Sequence, residues 1–272
     1  MDGKKRNLKF ALCQMACRLD DTAGNMADAC RLSRDAARQG ARMVLFPEGC
    51  LTGNALSGPD RQAVLPVENS AFQALSRVAV SDGITICVGF ITPFGSKFNA
   101  VHAIIEPDGN VRFQRKAFRV FAEPSFLEAW PDPERVVFQV DGARMVIVIC
   151  SEFGVPAVQA AVDRVAPDLV LHPSAGCMKK EEVWQPDAEP SVLALAFDEN
   201  CRRVVSRAAL TAKQSGMPKM SANPVGFDGE TWWPGNSYAV DAAGHVVLSI
   251  KGENQLSRMQ SVVAVAEISL GR

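Results

Sequence analysis

Apolar positions along this chain fall into two rhythms. Short dense runs of Val, Ile, Leu and Phe predict strands at 8–17, 42–47, 84–91, 98–106, 111–116, 136–140, 144–150, 168–172, 203–207, 238–240 and 245–250. Spacings of three and four predict amphipathic helices at 24–39, 69–81, 155–165 and 191–200. Gly40 closes the first helix and Asp82-Gly83 stops the second. Asp108-Gly109, Asp141-Gly142 and the turn from Asp241 to Gly244 read as hairpin connections. Hairpins exclude a purely parallel sheet, so the fold class is mixed α/β. Without a repeat or linker, a single domain is expected from residue 8 onward, behind a basic segment at 1–7. Two packed sheets covered by outer helices suit this count of elements.

Three of the strand ends carry chemistry. Val44-Leu45-Phe46-Pro47 is stopped by the carboxylate of Glu48, the alternating run from Val111 by the ammonium of Lys116, and the run from Met145 by the thiol of Cys150. Open sheets place reactive groups at strand ends. A base, a cation and a thiol so placed are the parts of a cysteine nucleophile acting on an amide.

Composition narrows the setting. A formal net charge of -1 gives no reason to expect nucleic acid or an anionic membrane as partner. Apolar runs are strand-sized, and no signal-peptide pattern follows the basic start. The 8 cysteines are scattered through apolar segments with no CxxC pair, which suits reduced thiols in a cytoplasmic protein. With 3 histidines far apart, no metal site is expected.

Taken together, these segments resemble the nitrilase superfamily of carbon–nitrogen hydrolases. Leu45-Phe46-Pro47-Glu48-Gly49 is similar to its glutamate motif, Arg115-Lys116 to its lysine motif, and Val148-Ile149-Cys150-Ser151-Glu152 to its nucleophile motif. The segment around Glu123 resembles that of a second glutamate, with Glu128 as competitor, and 166–175 and 236–244 are similar to later family segments. Two departures stand out. Val155-Pro156-Ala157 lacks a carboxylate that relatives often carry, and Glu199-Asn200 lacks the arginine that often precedes the pair.

The resemblance implies a four-layer α-β-β-α sandwich, a homodimer or higher homo-oligomer, and hydrolysis of a small carboxamide or N-carbamoyl compound through a cysteine thioester, releasing ammonia or an amine, without a cofactor. It implies Cys150 as nucleophile, Glu48 as base, Lys116 with the Ser151 N–H as oxyanion holder, and Glu123 supporting Lys116. Ser151, Glu152, His172 and Ser174 are then expected to face substrate, and Trp184 and Trp232-Trp233 to wall a pocket. Rival readings are a nitrile substrate on the same residues, acyl transfer to another amine, a Cys150–His172 hydrolase, and an inactive binding scaffold.

Overall fold

A computed structural model describes residues 6–120, 123–177, 190–228, 231–251 and 260–271. The first sheet is built from β1 (Arg6–Gln14), β2 (Met43–Leu45), β3 (Thr85–Phe94), β4 (Lys97–Ile105) and β5 (Val111–Arg115). The second takes β6 (Phe138–Val140), β7 (Ala143–Ile147), β8 (Leu169–Pro173), β9 (Lys219–Ala222), β12 (Ser237–Val240) and β13 (Val246–Ile250). A small ribbon pairs β10 (Val225–Phe227) with β11 (Trp232–Pro234), and β14 (Val262–Leu270) returns to the first sheet.

Both sheets share one plan. Strand order is β14-β1-β2-β3-β4-β5 in one and β13-β12-β9-β8-β7-β6 in the other. In each, three central strands run parallel, β1-β2-β3 and β7-β8-β9, and antiparallel strands flank them. Parallel strands need both faces covered. One face of each sheet meets the other sheet, where Phe10, Leu45, Met145, Ile147, Leu171 and Met220 interlock.

Helices cover the outer faces. On the first sheet lie α1 (Thr22–Arg38) and α2 (Gln73–Asp82), and on the second α3 (Pro156–Val165) and α4 (Pro190–Ser215). The result is the expected α-β-β-α sandwich. α1 starts where Asp21 accepts the Gly24 N–H at 2.8 Å and buries Ala29, Leu32 and Ala36. α2 ends on Gly83 in the left-handed region, φ 64°. None of the described helices is long and apolar enough to cross a membrane.

Two expectations need correction. Residues 203–207 are not a strand: Val204 and Val205 pack from inside α4, which continues unbroken to Ser215. The strand expected there comes later, as β9, after Gly216 and Pro218 have ended the helix. The run expected to carry Cys150 on a strand tip stops pairing at Ile147, and Cys150 opens a single turn of 3₁₀ helix, Cys150–Glu152.

Candidate active site

Side chains from both sheets converge where the parallel strands end. Glu48 follows β2. Its N–H donates to the Ser174 carbonyl at 3.2 Å, a bond that crosses from the first sheet to the second. Asn54 Nδ2 donates to the Glu48 carbonyl at 2.9 Å. Gly89 on β3 lies against this turn so closely that a Cβ there would sit 2.5 Å from the Gly49 nitrogen and 2.6 Å from the Pro47 oxygen. Only glycine lets β3 support Glu48 at that distance.

Lys116 follows β5 and is 4% exposed. Its Nζ lies 2.9 Å from Glu48 Oε1 and 2.8 Å from Glu123 Oε1. Glu123 is held there by a stitched segment. Phe98 N–H donates to the Phe126 carbonyl at 3.0 Å, Glu128 N–H to the Phe98 carbonyl at 2.7 Å, and Trp130 N–H to the Lys116 carbonyl at 2.8 Å. The same bonds turn Glu128 outward, where it pairs with Lys97 at 2.8 Å. Glu123, not Glu128, meets the lysine.

Cys150 sits at φ 46°, in the left-handed region that a side chain enters at a cost of about 1–2 kcal/mol. What holds the turn is Glu152. Its Oε2 accepts the Ile149 N–H at 2.7 Å and Arg135 Nη1 at 2.9 Å, while Oε1 accepts the Ala117 N–H at 2.6 Å. Glu152 and Arg135 side chains are both 0% exposed. One carboxylate thus ties the cysteine turn to the backbone beside Lys116.

The half-buried Cys150 thiol stands in the same pocket as Glu48, Lys116 and Ala175, where both charges act on it. Burial, and then the Glu48 charge, push the thiol up to about 12, against the pull of Lys116. Burial also raises Glu48 above the usual carboxylate range. Lys116 opposes that rise and the Glu123 charge adds to it. Burial would depress Lys116, but Glu48, Cys150 and Glu123 outweigh it and keep the ammonium charged. In the resting site the proton therefore stays on sulfur, beside a carboxylate placed to take it.

These four side chains line a cavity of about 60 Å³ whose other walls include Ala55, Leu56, Leu127, Ala175 and Trp233. Trp233 gives its indole N–H to Asp228 at 2.7 Å, away from any ligand. Among the described residues Lys116 is the cavity's one cation, and it is already paired twice. No cluster of His, Cys, Asp or Glu among them could hold a metal ion.

The side chains of the residues expected to face substrate do not line this cavity. Glu152 is sealed under the turn and serves it structurally. His172 Nε2 donates to the Cys150 carbonyl at 2.9 Å rather than meeting the thiol, so it is no base for the sulfur. Ser174 Oγ lies 3.4 Å from Ser221 Oγ, in a neighbouring groove. Ser151 Oγ reaches the Phe118 carbonyl at 3.5 Å, and its N–H donates to no acceptor among the described residues. Trp184 lies outside the described residues. Ala175, Asn54, Gly89 and Arg135 were not foreseen, since each acts through backbone or through a partner distant in sequence.

Comparison with known proteins identifies the family. The carbon-nitrogen hydrolase family profile matches residues 9–272. The chain belongs to this family, within the nitrilase superfamily. Two Mycobacterium tuberculosis relatives, Hydrolase Rv0480c and Hydrolase MT0498, are each 26% identical over 266 residues, 92% of this chain and 87% of theirs. Among solved structures, an amidase from Nesterenkonia sp. AN1 superposes with TM-score 0.74 at 20% identity, over 96% of this chain and 92% of its own. In one of its structures the acetamide moiety of fluoroacetamide is joined to the active-site cysteine. The glutamine-dependent NAD+ synthetase of Acinetobacter baumannii matches with TM-score 0.74 at 18% identity, and this chain spans 46% of it. At such identities these structures share the fold.

Proposed function

We propose that this carbon–nitrogen hydrolase is an amidase for small uncharged carboxamides, working through a thioester on Cys150. The observation that carries the reading is the Lys116 ammonium bridging Glu48 and Glu123 in the cavity that the Cys150 thiol also lines. The Nesterenkonia amidase, with an acetamide moiety on its cysteine, supports it by analogy.

Substrate size and charge follow from the cavity. At about 60 Å³ it suits an acyl group of a few non-hydrogen atoms. Beyond the four reactive side chains its walls are apolar or, at Asn54 and Gln62, uncharged, and a carboxylate on the substrate would find no free cation among the described residues. A charged N-carbamoyl amino acid therefore fits less well than an aliphatic amide.

In the proposed cycle, sulfur attacks the amide carbon as the thiol proton passes to Glu48, so no free thiolate accumulates. The developing oxyanion is held by the Lys116 ammonium and the Ser151 N–H. Glu48 passes its proton to the departing nitrogen, the C–N bond breaks, and ammonia leaves a Cys150 thioester. Glu48 then takes a proton from water, the hydroxyl adds to the thioester carbonyl, and the carboxylic acid leaves as the thiol is restored. Glu123 keeps Lys116 in place throughout.

The test is ammonia release from acetamide, propionamide, N-carbamoylglycine and propionitrile, with intact-mass detection of an acyl adduct. Turnover of the simple amides by wild type and none by Cys150→Ala is expected. Preferential turnover of the nitrile or of the carbamoyl acid overturns the substrate assignment. Amide turnover that survives Cys150→Ala overturns the mechanism.

A further inference from the structure

On the outer face of the second sheet, α4 covers a second cavity, of about 280 Å³. Met220 and Ala222 of β9 point into the core between the sheets, so Lys219 and Ser221 point outward, toward α4. The cavity is walled by Lys219, Phe153, His172, Tyr238, and Val204 and Arg207 of α4.

Lys219 is 6% exposed. Its Nζ lies 3.4 Å from the centre of the Phe153 ring and 5.9 Å from that of Tyr238. Three cations are buried among the described residues. Lys116 pairs with Glu48 and Glu123, and Arg135 with Glu152. Lys219 has no carboxylate within reach among those residues, and neither does Arg207 beside it. A buried cation is expensive unless paired. A buried ammonium without a partner, beside the exposed Arg207 guanidinium on the same cavity, defines half of an ion pair.

The other walls set the rest of the ligand. Phe153, Val204 and Tyr238 offer apolar surface, and about 280 Å³ is at the small end for ligand pockets. The cavity also backs onto the cysteine turn. His172 packs its ring 5.1 Å from Phe153 and donates to the Cys150 carbonyl. We infer that this cavity binds a small organic carboxylate, its anionic end on Lys219 and Arg207 and its apolar body against Phe153, Val204 and Tyr238, and that Phe153 and His172 pass its occupancy to the Cys150 turn. Nothing in this depends on which bond Cys150 attacks.

Proton linkage supplies a signature. Burial, and then Arg207, bring Lys219 down to about 7. The other titratable neighbours stay neutral: burial holds His172 well below its usual value and lifts Tyr238 and Cys150 to about 12. Anion binding raises the Lys219 value, so at about pH 9 it draws one proton from solution, and at about pH 6 it draws none.

The experiment is isothermal titration of the full-length Cys150→Ala protein with isobutyrate, in two buffers of different ionisation heat. Isobutanol serves as the uncharged control. Saturable isobutyrate binding is expected, with proton uptake at the higher pH only and no binding of isobutanol. Lys219→Met weakens it about tenfold or more, and the exposed Arg207→Ala severalfold. In the wild-type protein, saturating isobutyrate changes the rate at which iodoacetamide labels Cys150, and in Lys219→Met it does not. Failure of isobutyrate to bind, or equal affinity in both variants, overturns the site. An Arg207→Ala change that dissociates an oligomer while isobutyrate does not bind also overturns it, because the cations would then face a second copy of the chain. An unchanged labelling rate overturns the link to Cys150. Failure of the amidase reading leaves the titration result as it stands.

Discussion

Lys116 and Lys219 are exposed by 4% and 6%, and each stands at one end of a strand, the first in the sheet that carries Glu48, the second in the sheet that carries Cys150. Around Lys116 two carboxylates approach within 2.9 Å, and the lysine is held above its ordinary value. Around Lys219 the neighbours are aromatic rings and a guanidinium, and it falls to about 7. Equal burial thus yields opposite charge behaviour. What decides is the partner, not the depth.

The sharpest way to break this comparison is to remove each charge. Lys116→Met leaves Glu48 and Glu123 facing each other without a cation, at a cost of about 3–5 kcal/mol in stability. Loss of an oxyanion donor adds a fall of about 10²–10³ in kcat. Lys219→Met removes a cation that has no acid to leave behind, so stability is kept or gained. Urea unfolding of the two variants side by side reads the difference. Equal destabilisation would mean that Lys219 has a partner of its own.

Arg135→Met tests the same rule at a site that touches no substrate. It strands the Glu152 carboxylate, fully buried, and with it the turn that carries Cys150. A loss of about 3–5 kcal/mol is expected. In protein that still folds, kcat falls more than KM rises, because the thiol rather than the pocket wall is displaced. An unchanged kcat would show that the turn holds without its carboxylate.

pH sharpens the comparison further. A lysine near 10.5 unfolded and about 7 folded means the unfolded chain binds more protons between those values. Lys219 therefore makes wild-type stability rise with pH across that window. Below about 7 the buried ammonium bears its full cost, partly offset by the Phe153 ring. Lys219→Met is expected to exceed wild type by on the order of 2 kcal/mol at about pH 6, the gap closing toward pH 10. A gap that widens with pH would contradict an unpaired lysine. Activity follows the other carboxylate: with Glu48 raised, kcat/KM falls on acidification at a pH above the usual carboxylate range.

Much of this was legible in the chain. Strands buried on both faces announce themselves as apolar runs, and a lone acid, amine or thiol ending such a run marks Glu48, Lys116 and Cys150. What was illegible depends on contacts distant in sequence. Val204-Val205 looks like a strand locally, but α4 absorbs it. Strand β9 hides because Lys219 and Ser221 make its outer face polar. Glu152 reads as a ligand-facing acid until Arg135, from another strand's approach, is seen to hold it inward.

The least drastic substitutions test how Glu123 was chosen over Glu128. Both are acids in one short loop, and local sequence does not separate them. The stitching of 126–130 to Phe98 and Lys116 does: it leaves Glu123 on the lysine and Glu128 in solvent with Lys97. Glu123→Gln keeps the shape and loses the charge. Because Lys116 still has Glu48, a fall of only about tenfold in kcat is expected. With the Glu123 charge gone, the base on Glu48 becomes a stronger acid, so the acid limb of the pH–rate profile moves to lower pH. Glu128→Gln is expected to leave both kcat and that limb unchanged. Should Glu128→Gln shift the limb and Glu123→Gln leave it fixed, the loop pairs with Lys116 in the opposite register, and the distinction between a lysine held by two acids and one held by none would have to be redrawn around Glu128.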